Sequence, residues 1–140
     1  MRIAIINGPN LNLLGTREPH IYGNQTFESY LEELKMLFPH EELVYFQSNH
    51  EGNIIDFIQQ ECAGNKRIVI NGGAFSHTSI AIADALQSVE AKAVEVHISN
   101  VYQRESYRHH SHLAPVCMGC IVGLGLSGYR LAIEFHLQNP

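Results

Sequence analysis

Charge is scarce in this chain. Only 16% of its 140 residues are Asp, Glu, Lys or Arg, against about 25% in an average soluble domain. With 45% apolar residues, a charge-rich disordered chain is excluded. The low charge also predicts an outer surface partly covered by other subunits. Basic residues are fewer still: nine Lys and Arg against 14 Asp and Glu, a formal net charge of −5. The broad basic footprint of a nucleic-acid surface is missing, so no nucleic-acid partner is expected. A small acidic ligand is not excluded, because that depends on where the nine cations sit. Cysteine is limited to Cys62, Cys117 and Cys120. An odd, sparse set does not suit a secreted disulfide framework and points to a reducing, cytoplasmic compartment. No apolar run approaches the roughly 18 residues that span a bilayer. The four apolar residues 3–6 are too few for a signal segment. No membrane partner is expected. Nucleotide signatures are missing too, with neither a Walker loop nor G-x-G-x-x-G after the first apolar run.

What is present reads as one domain, residues 1–140. A chain of this length can bury a self-sufficient core without disulfides or a structural metal. Short apolar runs at 3–6, 43–46, 68–70, 93–96 and 120–122 predict five strands. Helical patterns fall between them. Thr26 reads as an N-cap, followed by Phe27, Tyr30, Leu31, Leu34 and Leu37 on one face. Further helices are expected from the Ile54, Ile55, Ile58, Cys62 spacing, over about 78–89, and over about 125–137. The strands lack polar alternation, as strands covered on both faces do. Alternating strands and helices predict an α/β fold, a doubly wound three-layer sandwich with a five-stranded parallel sheet. The polar stretch 7–25 is long for a connection in a compact domain. Such segments are often functional lids.

In open α/β sheets ligands bind beyond the carboxyl ends of the strands. The residues there are Asn7-Gly8-Pro9-Asn10, Asn71-Gly72-Gly73 and His97-Ile98-Ser99-Asn100. Arg17 and Tyr22 share the long loop. Singly, they read as an exposed arginine and a packing tyrosine. As a pair, the guanidinium stabilises the phenolate, lowers a pKa near 10 and makes Tyr22 a usable base. Arg104 and Arg108, four apart, are either a solvated face or an anion site. His77 and Asp84, seven apart, are expected to face one way across two helical turns; Asp84 is either a solvated helix carboxylate or, with His77, a group that binds substrate hydroxyls. Gly72 and Gly73 would let backbone approach a ligand. His97 at a strand end is either a satisfied structural histidine or a general acid.

Two patterns are read as incidental. Cys117-x-x-Cys120 has a redox spacing but does not open a helix after the first strand. His109, His110 and His112 lack a nearby acidic or fourth ligand, so no metal is expected. Two other function classes remain. One is a non-catalytic signalling or binding module; as a phosphoacceptor receiver it would need carboxylates where Asn7, Gly8 and Asn71 stand. A His-cluster metal hydrolase would bind zinc.

Four segments carry a family resemblance across essentially the whole chain. They are NGPNLNLLGTREPHIYG from Asn7, NGGAFSHTS from Asn71, EVHISNVYQRESYR from Glu95 and IVGLGLSGY from Ile121. In order and spacing they resemble type II 3-dehydroquinate dehydratase. The resemblance implies a flavodoxin-like fold and a dodecamer of four trimers, with no cofactor and no metal. It implies anti elimination of water from 3-dehydroquinate to 3-dehydroshikimate, in the shikimate pathway or in quinate catabolism. By motif, Tyr22 is the proton acceptor and Arg17 supports the phenolate and the transition state. Asn10 holds a water that stabilises the enolate, and His97 is the proton donor. Asn71, His77, Asp84, Ile98, Ser99 and Arg108 match the substrate-binding set, with the Ile98 and Ser99 N–H groups on the substrate carboxylate. Glu95 orients His97 or its neighbours, and Arg104 supports the mouth of the site. The loop Gly72-Gly73-Ala74-Phe75 falls where family members vary, which touches loop packing and not chemistry. Removing a proton beside a ketone builds an enolate, so a base, an oxyanion partner and an acid are all required. Closure of the 7–25 loop, with Gly15 and Gly23 as hinges, would exclude water.

Overall fold

The computed structural model describes every residue except Arg17, Gly64 and Asn65, and every side chain except theirs and that of Tyr22. Five strands, β1 (Arg2–Asn7), β2 (Glu42–Gln47), β3 (Arg67–Asn71), β4 (Lys92–His97) and β5 (Gly119–Val122), form one sheet. All four pairings are parallel and the order is β2-β1-β3-β4-β5. This is the doubly wound arrangement expected from the alternating pattern, with its switch point between β1 and β3.

The strands show no polar alternation because both faces are covered. Ile3, Ile5, Val69, Val94 and Val96 pack against Phe27, Tyr30, Leu34, Tyr129 and Ile133. These come from α2 (Phe27–Leu37) and α5 (Ser127–Gln138). The alternate residues Ala4, Ile6, Ile68, Ile70 and Ala93 pack against Ile54, Ile58, Ile82 and Leu86. These belong to α3 (Glu51–Glu61) and α4 (Ile80–Ser88). The Thr26 cap is present, its side chain accepting from the Ser29 N–H. Among the described residues, no helix is long and apolar enough to cross a membrane.

Two local expectations change. The 7–25 stretch is not plain loop. It holds a 3-10 turn, Leu11–Leu13, and a short helix, α1 (Pro19–Tyr22). Leu11 and Leu14 are buried in the core. The third long helix starts later than expected. Ser79, not an earlier residue, caps α4 through the Ile82 N–H, and residues Gly73–His77 form a separate 3-10 turn. His77 and Asp84 therefore do not share a helix, and the two-turn argument for their common direction fails.

Candidate functional site

Three strand ends converge on one pocket. β1 and β3 finish in register, Asn7 opposite Asn71, and the Gly8 N–H donates to the Asn71 carbonyl at 2.8 Å. A Cβ on Gly8 would lie 2.1 Å from the Gly72 carbonyl oxygen. Only glycine lets these two loops touch. Gly73 has φ +57, and a Cβ there would meet the Pro9 carbonyl at 3.1 Å. Gly73 thus packs on the Pro9 loop and also lines the pocket, where its backbone faces the space a ligand would fill.

Of the expected site residues, Asn10, Asn71, His77, His97, Ile98, Ser99, Arg104 and Arg108 line this pocket. Pro9, Leu11, Leu13, Leu14 and Val101 supply its apolar part. Asp84 is exposed on α4 and does not line it. Arg17 lies outside the described residues. So does the side chain of Tyr22, whose backbone ends α1.

His97 is the best-defined chemical group. Glu95 and His97 are two apart on β4, so the pleat points both side chains to one face. The His97 Nε2–H donates to Glu95 Oε1 at 2.9 Å, both residues being buried. That leaves Nδ1 as the ring atom free to hold a second proton. Burial pushes the Glu95 carboxyl up. Hydrogen bonds from His97 and Ser111, the His97 charge and the Cys120 thiol outweigh it, so the carboxyl sits below its usual range. The buried carboxylate fixes the ring's orientation and leaves Nδ1 turned away from Glu95. The pair can deliver a proton.

His77 stacks on His97, the ring centroids 5.8 Å apart. Its Nδ1–H donates to the His110 carbonyl at 2.8 Å, so Nε2 is the free acceptor when the ring is neutral. Burial lowers its pKa, aided by the His97 and Arg108 charges and opposed by the His110 bond. A neutral His77 suits a hydroxyl ligand.

The two arginines are organised by a residue the motif reading passed over. Glu105 accepts from Arg108 Nε at 2.7 Å and lies 3.9 Å from Arg104 Nε. Its own backbone N–H, then the Arg108 guanidinium, bring its carboxyl down to about 2. Arg104 Nη1 also donates to Ser99 Oγ at 3.2 Å. Both arginines line the pocket, Arg104 just after the 3-10 turn Val101–Gln103 and Arg108 at the end of the next, Ser106–Arg108. One wall is cationic, as an anionic ligand needs.

Behind the pocket lies a buried polar network. The Tyr129 hydroxyl donates to Asn7 Oδ1 at 2.7 Å and accepts from Asn71 Nδ2 at 2.9 Å. Asn71 Oδ1 accepts from the Gly73 N–H at 3.1 Å. The Asn71 amide is fixed from both ends. Tyr129 lies 122 residues from Asn7, so no local signal could join them. Of the other histidines, His110 and His112 meet edge to face, ring centroids 4.8 Å apart. His109 Nε2 donates to the Arg104 carbonyl, and among the described residues no group of three or more His, Cys, Asp or Glu is placed to hold a metal.

The chain matches the family model for dehydroquinase class II over residues 1–137. A catabolic 3-dehydroquinase 2 from Neosartorya fischeri is 52% identical over 139 residues, covering 98% of this chain and 93% of the relative. A 3-dehydroquinate dehydratase from an Exiguobacterium species is 50% identical over 140 residues, covering 99% and 96%. The crystal structure of a type II dehydroquinase from Butyrivibrio crossotus superposes with a TM-score of 0.91 at 52% identity, covering 96% of each chain.

Proposed function

Because the chain belongs to the class II dehydroquinase family, we propose that it dehydrates 3-dehydroquinate to 3-dehydroshikimate by an anti elimination, with Tyr22 as base and His97 as acid. The reaction passes through an enolate. The observation that carries the acid assignment is the buried Glu95–His97 pair, which opens its free ring nitrogen to the pocket. His97 as imidazolium gives its Nδ1 proton to the leaving hydroxyl, and Glu95 holds the charge it carries beforehand. Arg104 and Arg108, braced by Glu105, make the wall that suits the substrate carboxylate. The Ile98 and Ser99 N–H groups complete its binding.

Asn71 and His77 offer polar atoms for the substrate hydroxyls. Asn10, held by its N–H to Asn49 Oδ1 at 3.0 Å, positions a water against the enolate oxygen. The assignment of Arg17 and Tyr22 rests on the REPHIYG motif. Their loop, 7–25, serves as the lid, in a single catalytic domain. Asp84 has no place in this chain's own pocket and is the weakest member of the binding set. The reaction as proposed uses no metal or cofactor.

We further propose a homo-oligomer of twelve, four trimers, in the cytoplasm. Exposed Ile80, Met118, Leu124, Leu131 and Phe135 support buried subunit contacts. Light scattering at a trimer or monomer mass would refute the twelve.

The activity test is the absorbance rise of the enone product on adding 3-dehydroquinate. No rise from folded protein, with or without chelator, would reject the function. Tyr22→Phe should fold normally and lose about 10²–10⁴-fold in kcat, the usual worth of a general base. A rate near the parent's would remove Tyr22 as the base.

A further inference from the structure

Cys120 was read as incidental from its spacing, but the sheet register places it beside the catalytic pair. In the β4–β5 pairing Glu95 lies opposite Cys120, and His97 opposite Val122. The Cys120 thiol donates to Glu95 Oε2 at 3.2 Å. Glu95 Oε1 is already shared by His97 Nε2 and the Ser111 hydroxyl, the latter at 2.6 Å. Ser111 Oγ in turn accepts from the Leu113 and Ala114 N–H groups, both at 3.1 Å, so its proton is committed to Glu95. The carboxylate therefore meets donors from three different elements.

We infer that Cys120 is a positioning residue for the reaction, its thiol holding Glu95 Oε2 so that Oε1 faces His97. Every donor on a carboxylate draws charge from it and weakens its pull on the others. The thiol thus sets how strongly Glu95 binds the His97 proton. Burial, then the hydrogen bond and charge of Glu95, push the Cys120 thiol up to about 12. It remains a protonated donor across the working pH range. Other titratable or charged groups also face the pair. His77 stacks on His97 from the turn Gly73–His77. Cys117 is close enough to feel the Glu95 charge, and Arg108 acts on His77. None of these reaches Glu95 Oε2 through the β5 register.

The inference rests on His97 being the proton donor, so the test has two readouts. Cys120→Val removes the donor at similar size, and Cys120→Ser keeps one. The pH dependence of kcat/KM is measured for both, together with an NMR titration of the His97 imidazole. In Cys120→Val the His97 titration and the alkaline limb of the rate profile should both move up by a few tenths of a pH unit. Cys120→Ser should bring both back to the parent position or below. Identical His97 titrations in parent and Cys120→Val would overturn the inference. Equal shifts in the Val and Ser variants would overturn it too, since packing and not donation would then be the cause. A moved His97 titration with an unmoved rate profile would uphold the role of Cys120 and instead reject His97 as the proton donor.

Discussion

Replacing Tyr129 with Phe removes one oxygen from the centre of the molecule. That oxygen joins Asn7 to Asn71, and all three residues are buried. Asn7 Oδ1 then loses its 2.7 Å donor in a place water does not reach, which costs about 1–3 kcal/mol. Asn71 Nδ2 loses its acceptor but lines the pocket, where water can partly replace it. Its loss adds about 1 kcal/mol, the net worth of an ordinary hydrogen bond. The sum is about 2–4 kcal/mol. For a domain of this size each kcal/mol lowers Tm by roughly 4 °C, so the expected drop is about 8–16 °C. Urea and thermal unfolding should be followed at matched protomer concentration, because assembly contributes to apparent stability. Steady-state assays should show KM rising more than kcat falls, since the Asn71 amide is freed on one side. A loss under about 0.5 kcal/mol with unchanged KM would refute both the burial accounting and the claim that Tyr129 aims Asn71.

Two glycines should behave oppositely. Gly8→Ala forces a methyl to 2.1 Å from the Gly72 carbonyl, so the variant should lose about 1–3 kcal/mol and much of its activity as the two loops part. Gly52→Ala, inside α3 with nothing within 4 Å of the new atom, should gain up to about 1 kcal/mol by helix propensity; urea midpoints decide both. His136 is buried with its Nε2–H on the Ile68 carbonyl at 3.0 Å. Burial lowers its pKa below 6.5, the Ile68 bond opposes this, and Arg67 and Lys92 add to the lowering. The unfolded chain then binds the extra proton first, so stability is full above pH 6.5 and falls as pH drops toward the folded pKa. His136→Gln should flatten that fall in melts at neutral and mildly acid pH, and an unchanged slope would reject the assignment.

The sheet was legible because its signals are local. Apolar runs marked all five strands, and Thr26 marked its helix within one residue. The start of α4 was misplaced because Ser76, Thr78 and Ser79 all suit an N-cap, and only packing selects Ser79. The same misplacement gave His77 and Asp84 a false common face. In the site, motif positions found the pocket wall but not what holds it. Glu105 stands between two arginines in the sequence, and that spacing does not say that it braces both. Ser111 reaches Glu95 from 16 residues away and Cys120 from 25. Tyr129 is more distant still. Partners brought together by sheet register leave no spacing to read.

The acid His97 ends β4 and the binding residue Asn71 ends β3, two of the three inner strands of the sheet. Amides in such strands exchange only when the whole molecule opens, whereas short surface helices open on their own. Tyr22 stands on α1, four residues long. Mild denaturant should therefore silence turnover before it disturbs the strands, leaving a population whose acid stays in place while its base does not.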